Sequence, residues 1–365
     1  MKSMVRFQLV AAAAAILTAC GGGSSSDAAT LPRLSAAQAA SITTCTGLAT
    51  GFTFASTAIT AATVAPAGTL TNAGAPVAEH CVVTGKMNQR VSPVDGQTYA
   101  IGFEMRLPTA WNGRFLYQGN GGTDGVVAQA TGNFVGGGPL QTALQQGFAV
   151  ISSDAGHTSA QNPLFGLDPQ ARLDYGYMAV ATLTPMAKAL IKAAYGKGPD
   201  RSYIGGSSNG GRHTMVAAAR YADQYDGFLA TSPGFNLPKA AVAQLYGAQQ
   251  WARVATTTSN LETGFTQAER TMVASKILGK CDNLDGASDG MVNDVAACRA
   301  AFDLNRDVPT CTGTRDGTCL TADQKSAIAN VFTGARNSKG ELLYSRWPYD
   351  PGMRQTGWER KEQGQ

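Results

Sequence analysis

The stretch Ile204-Gly205-Gly206-Ser207-Ser208-Asn209-Gly210-Gly211-Arg212-His213 decides how this chain is read, because it sets Ser208 between glycines two residues away on either side. In a chain with 43 glycines such a string is weak by itself, and its setting carries the inference. The apolar segment Ser202 to Ile204 precedes it, and a helical pattern with Met215, Val216 and Ala219 follows. A sharp turn from strand to helix lifts a serine hydroxyl above the sheet and leaves room only for glycine beside it. The plainer alternative is a Ser/Gly turn opening a helix.

On either side of this turn, apolar segments alternate with helical ones. Tyr99 to Leu107, Arg114 to Tyr117, Phe148 to Ser152 and Gly227 to Thr231 read as further strands. Tyr177 to Ala194 carries Met178, Ala181, Leu183, Ala187, Leu190 and Ile191 at helical spacing. The alternation predicts an α/β domain with a mostly parallel sheet over residues 41–234. From Phe235 the pattern turns to polar helices and cysteine-bounded loops. Residues 235–365 therefore read as a lid inserted into the core, with no strand returning to the sheet.

Lys2 and Arg6 precede an apolar run from Leu9 to Ile16, and Leu17-Thr18-Ala19-Cys20 leads into GGGSSSD. This reads as an export signal over residues 1–20. Small residues before Cys20 suit acylation of that cysteine, and residues 21–40 suit a flexible tether. Ordinary signal cleavage nearby is the alternative. The expected location is the bacterial cell envelope, with membrane contact only through a lipid on Cys20. Six cysteines remain: Cys45, Cys81, Cys281, Cys298, Cys311 and Cys319. In an exported chain they read as disulfides. The short spacings favour Cys281 with Cys298 and Cys311 with Cys319, leaving Cys45 for Cys81. The net charge of +4 is spread over scattered lysines and arginines, which gives nucleic-acid binding no support. A monomer acting on a small molecule is expected.

A serine that attacks an ester needs backbone donors for the developing oxyanion. The N–H of Asn209 is one candidate. Gly121 or Gly122, in the loop after the strand ending at Tyr117, is the other, although that loop could be a plain glycine turn. The segment Cys281 to Cys298 places Asp282, Asp285 and Asp289 on a turn with Gly286 and Gly290. Three hard carboxylates suit calcium, and a solvated acidic turn fits equally well.

The lines WNGRFLYQGNGG (111–122), ISSDAGH (151–157), the elbow with its following Gly-Gly-Arg, ARYADQYDGFLATSPG (219–234) and CDNLDGASDG (281–290) follow one another along the chain. Together they resemble the tannase and feruloyl esterase family, which includes the mono(2-hydroxyethyl) terephthalate hydrolases. The resemblance implies an α/β-hydrolase core with a calcium-binding lid, and hydrolysis of aromatic esters through an acyl-enzyme. It makes Ser208 the nucleophile and Asn209 with Gly121 or Gly122 the oxyanion hole. It also makes Asp282, Asp285 and Asp289 calcium ligands, with the carbonyls of Ala287 and Met291. One position departs from the family: the cysteine expected before the nucleophile is Ser207 here, which puts the usual disulfide from elbow to histidine loop in doubt.

The sequence holds three histidines. His80 adjoins Cys81, and His157 sits on a loop where it could touch substrate or simply be satisfied. His213 is five residues past Ser208 on one helix and points away from the hydroxyl. No base for Ser208 is evident, and a triad Asp and His should follow the lid. The chain therefore reads as a C-terminally truncated relative whose last core strands are missing. The alternative is a non-catalytic protein that binds aromatic ligands.

Overall fold

Buried apolar residues at every second position make the longest strands, the period of a pleated backbone. Between Thr98 and Pro108, Tyr99, Ile101, Phe103, Met105 and Leu107 are all at most 1 % exposed. The computed structural model describes residues 34–133 and 141–355. Its main sheet has seven strands: β1 (Thr57–Ala65), β2 (His80–Val91), β3 (Thr98–Pro108), β4 (Arg114–Gly119), β5 (Ala149–Ser153), β6 (Arg201–Ser207) and β7 (Gly227–Thr231). The spatial order is β7-β6-β4-β5-β3-β2-β1. The pairings from β7 to β5 are parallel, and those from β5 to β1 are antiparallel.

The parallel part expected from the alternation is there, and an antiparallel part extends it, so the sheet is mixed rather than mostly parallel. The extension comes from β1 and β2, which the apolar pattern does not reveal. β1 reads TAITAATVA, and β2 interrupts its valines with Gly85, Lys86, Asn88, Gln89 and Arg90, so neither stands out as an apolar run. The other five strands lie where the sequence places them, within a few residues at their ends.

Helix α1 (Ala179–Tyr195) packs Leu183, Met186, Leu190 and Ile191 into one cluster with Phe103, Met105, Phe115 and Ile151 of the sheet. Helix α2 (Asn209–Arg220) follows the elbow after β6. Beyond β7 the chain is helical, with α3 (Leu237–Ala252), α4 (Gln267–Cys281), α5 (Val295–Ala301) and α6 (Ala322–Thr333) among its elements. These helices gather a second cluster that includes Trp251, Val273, Ile277, Ile328 and Phe332. Among the described residues, only isolated bridges occur after β7. The disulfides are Cys45–Cys81, Cys281–Cys298 and Cys311–Cys319, the last two expected from spacing and the first as the remaining pair. Strand β7 ends the sheet order and leaves Phe228 and Leu229 partly exposed.

Candidate active site

Parallel strands deliver their following loops to one end of the sheet, and loops from that end build the site. Strand β6 runs out at Ser207, and α2 begins at Asn209. Ser208 bridges them in a single residue with φ 57° and ψ −117°, a conformation that costs a non-glycine residue free energy and persists only where neighbours enforce it. The enforcing bonds are backbone ones. The Ser208 N–H donates to the Thr231 carbonyl at 3.1 Å, and its carbonyl accepts from the N–H groups of Arg212 (3.0 Å) and Gly234 (2.9 Å). The residue is exposed at the mouth of the elbow.

The flanking glycines are required by close backbone approach. A Cβ on Gly206 would lie 2.5 Å from the Gly119 carbonyl oxygen, and one on Gly210 would overlap the same carbonyl. The loop after β4 is therefore pressed against the elbow. A cavity of about 470 Å³ opens there, lined by Ser208, Gly121, Asp124, Val126, Ala128 and Asn133 among others. Gly121 is in its wall; Gly122, at φ 63°, is outside the lining set. Asn209 to Gly211 start α2, so their N–H groups have no acceptor within the helix.

Asp124, which the sequence pattern does not single out, stands in the cavity wall with its side chain almost wholly buried. Its Oδ2 accepts from Asn209 Nδ2 at 2.6 Å and from His213 Nε2 at 2.8 Å. Asn209 Oδ1 accepts in turn from Arg212 Nε at 2.6 Å and from the Tyr175 hydroxyl at 3.1 Å. The available signal is Thr123-Asp124-Gly125, directly behind the glycine loop.

None of the three histidines bonds to Ser208. His80 donates from Nδ1 to the Ala78 carbonyl and accepts at Nε2 from Arg106; burial lowers its pKa and favours this neutral form. His213 turns Nε2 to Asp124. His157 pairs Nε2 with Asn162 at 3.0 Å and stacks on Phe165, with ring centroids 3.7 Å apart. Among the described residues, Nδ1 of His213 has no hydrogen-bond partner.

The family model for tannase and feruloyl esterase matches residues 81–365. A mono(2-hydroxyethyl) terephthalate hydrolase of Piscinibacter sakaiensis is 38% identical over 319 residues, covering 82% of this chain and 53% of its own. The chain belongs to the tannase and feruloyl esterase family. A probable feruloyl esterase B-1 of Neosartorya fischeri is 32% identical, covering 67% of this chain and 43% of its own. The solved feruloyl esterase B of Aspergillus oryzae superposes with a TM-score of 0.67 at 27% identity, over 84% of this chain and 58% of that one. This chain spans about half the length of the curated relatives it matches. The sheet and its elbow form an α/β-hydrolase core.

Of the two readings of His157, the satisfied loop histidine fits its packing. It is 1 % exposed and outside the cavity lining, because its ring is taken up behind the site by Phe165, Tyr175 and Asn162. All six described cysteines are in disulfides, and Ser207 shares the cavity wall with Ser208. Cys20 lies outside the described residues.

In the acidic loop, Asp285 accepts from the N–H groups of Ala287 and Asn293, Asp282 from Gly290, and Asp289 from Met291. The donor set is all oxygen, which suits a hard cation in type. As folded, each carboxylate serves a backbone amide, and among the described residues no three ligand-type side chains gather closely enough to hold one ion.

Asp154, just past the end of β5, is buried, and burial pushes its pKa up to about 7 even though Oδ1 accepts from Gly102 and Gly156. The folded chain therefore keeps a proton that the unfolded chain loses near pH 4. Stability should fall as pH rises through that window, up to about pH 7, and level off above it. Asp154→Asn should raise the melting midpoint at about pH 8.5 and flatten the slope between about pH 4 and 7. An unchanged midpoint and slope would refute this.

Proposed function

We propose that this chain carries the nucleophile and oxyanion hole of a serine carboxylic-ester hydrolase acting on aromatic esters. The observation that carries the reading is Ser208 itself: a serine held at positive φ between strand and helix, exposed to a cavity beside the Gly121 loop. In the reaction, Oγ bonds to the ester carbonyl carbon while its proton passes to a base. The oxyanion is met by the N–H groups of Asn209 and Gly121, the alcohol leaves with the proton, and water releases the acid from the acyl-enzyme. None of the three histidines of this sequence bonds to the hydroxyl as that base must. That observation favours a second reading, in which the chain as it stands binds aromatic esters and turns them over poorly.

The aromatic class follows the names of the relatives and the apolar part of the cavity, Val126 and Ala128. Calorimetry on the Ser208→Ala variant tests it. Methyl ferulate should bind about fivefold more tightly than methyl hexanoate, one aromatic ring being worth on the order of 1 kcal/mol. Equal affinities would contradict the aromatic assignment.

Two further assignments belong to the same reading. Export and a lipid on Cys20 fit the N-terminal sequence and the three disulfides; among the described residues no helix is long and apolar enough to cross a membrane. Calcium in the Cys281–Cys298 loop rests on the family resemblance and on the oxygen donors of Asp282, Asp285 and Asp289, with the Ala287 and Met291 carbonyls. Its role would be to stiffen the helical part that follows β7. Chelator should then lower the melting midpoint by several degrees, an effect of about 1 kcal/mol or more. An unchanged midpoint, with no calcium found by elemental analysis, would remove the ion from the account.

A further inference from the structure

We infer that Asp124 is a positioning residue that sets the spacing between the two arms of the oxyanion hole. The inference rests on the reading of Ser208 as the attacking group and of Asn209 and Gly121 as donors. Those donors come from elements far apart in sequence, the loop after β4 and the start of α2, so something must fix their separation. The loop is glycine-rich and has conformational freedom of its own, with Gly122 and Gly125 both at positive φ. Its β5 side is anchored: Asn120 Nδ2 donates to Ser152 Oγ and to the Ser153 carbonyl, and Gly125 N–H donates to the Asp154 carbonyl.

Towards α2 the tie is Asp124. One oxygen, Oδ2, receives both Asn209 Nδ2 and His213 Nε2, and the Asp124 and His213 side chains are 2% and 4% exposed. Asn209 cannot swing away, because Arg212 Nε holds its Oδ1 while the same guanidinium grips the carbonyls of Tyr175 and Gly176. Asp124 itself sits at φ 58°, a strained conformation of the kind that functional sites retain. Hydrogen bonds to an ionised carboxylate are short and strong. An oxyanion donor displaced by about 1 Å forfeits on the order of a hundredfold in rate.

With no histidine bonded to Ser208, the test is cleaner. Catalysis that survives loss of triad members comes from the oxyanion hole and binding, roughly 10³- to 10⁴-fold over water. Residual hydrolysis of p-nitrophenyl acetate by the full chain therefore reports on the spacing that Asp124 holds. Asp124→Ala should lower kcat by about 10- to 100-fold with KM changed by less than about twofold, since the lost interaction acts in the transition state. Asp124→Asn should lose less, because its Oδ1 can accept the same two bonds. An Asp124→Ala kcat equal to wild type would overturn the inference, as would an effect confined to KM, or Asp124→Asn falling as far as Asp124→Ala. A wild-type rate no higher than buffer would instead remove the oxyanion-hole reading of Asn209 and Gly121, and the inference with it.

Discussion

The purified 365-residue chain should hydrolyse p-nitrophenyl acetate and methyl ferulate on the order of 10⁶-fold more slowly than a serine esterase with a complete triad. A serine hydroxyl is a weak nucleophile at neutral pH unless a base takes its proton as the bond forms. His80 is fixed between Ala78 and Arg106, His157 is stacked on Phe165, and His213 is committed to Asp124. The slow reaction that remains should change little in Ser208→Ala, because attack by water needs only the oxyanion hole. Initial rates of the two proteins side by side decide the matter. Fast turnover that disappears in Ser208→Ala would contradict the account and would mean that one of these histidines reaches the hydroxyl in solution.

The second large effect is on folding. Gly206→Ala should destabilise the chain by roughly 3 kcal/mol or more, because overpacking against backbone has no cheap relief. The added Cβ would sit 2.5 Å from the Gly119 carbonyl oxygen, 2.7 Å from the Gly210 carbonyl carbon and 2.8 Å from the Gly210 Cα. These atoms belong to β4 and to the first turn of α2, and Gly206 is itself paired with Gly119 and Ala230 in the sheet. Gly166→Ala is the control, since a Cβ there meets nothing within 4 Å among the described residues. Urea midpoints of the two variants should differ widely. Equal midpoints would show that the elbow and the glycine loop are not in contact.

What the sequence discloses about this site follows from how local each feature is. The elbow is legible because its strand, serine, glycines and following helix lie close together in the chain, and their order together encodes the strained turn. Two disulfides, Cys281–Cys298 and Cys311–Cys319, are legible for the same reason, their partners being near in sequence, and Cys45–Cys81 follows as the remaining pair. Strands β1 and β2 are not, since alanines, threonines and charged residues carry no strong period, and their place in the sheet comes only from pairing outward from β3. Asp124 is invisible as a partner of His213 because nothing in either segment encodes the contact; it exists only once β4 and β6 lie side by side. That His213 turns from Ser208 is a matter of helix geometry and can be read from spacing, whereas its carboxylate partner cannot. His157 stays ambiguous in the sequence because it follows the end of β5, whereas the inward packing of its ring among Phe165 and Tyr175 comes from contacts in the fold.

The central claim, that Ser208 is the nucleophile of an ester-hydrolase elbow, is tested most directly by covalent labelling. The full chain should be incubated for hours with excess fluorophosphonate, with and without added imidazole as an external base, and the modified peptide identified by mass spectrometry. The account predicts a slow adduct on the peptide containing Ser208, faster with imidazole and lost in Ser208→Ala. An adduct on another residue, or none after prolonged incubation with imidazole, would contradict it.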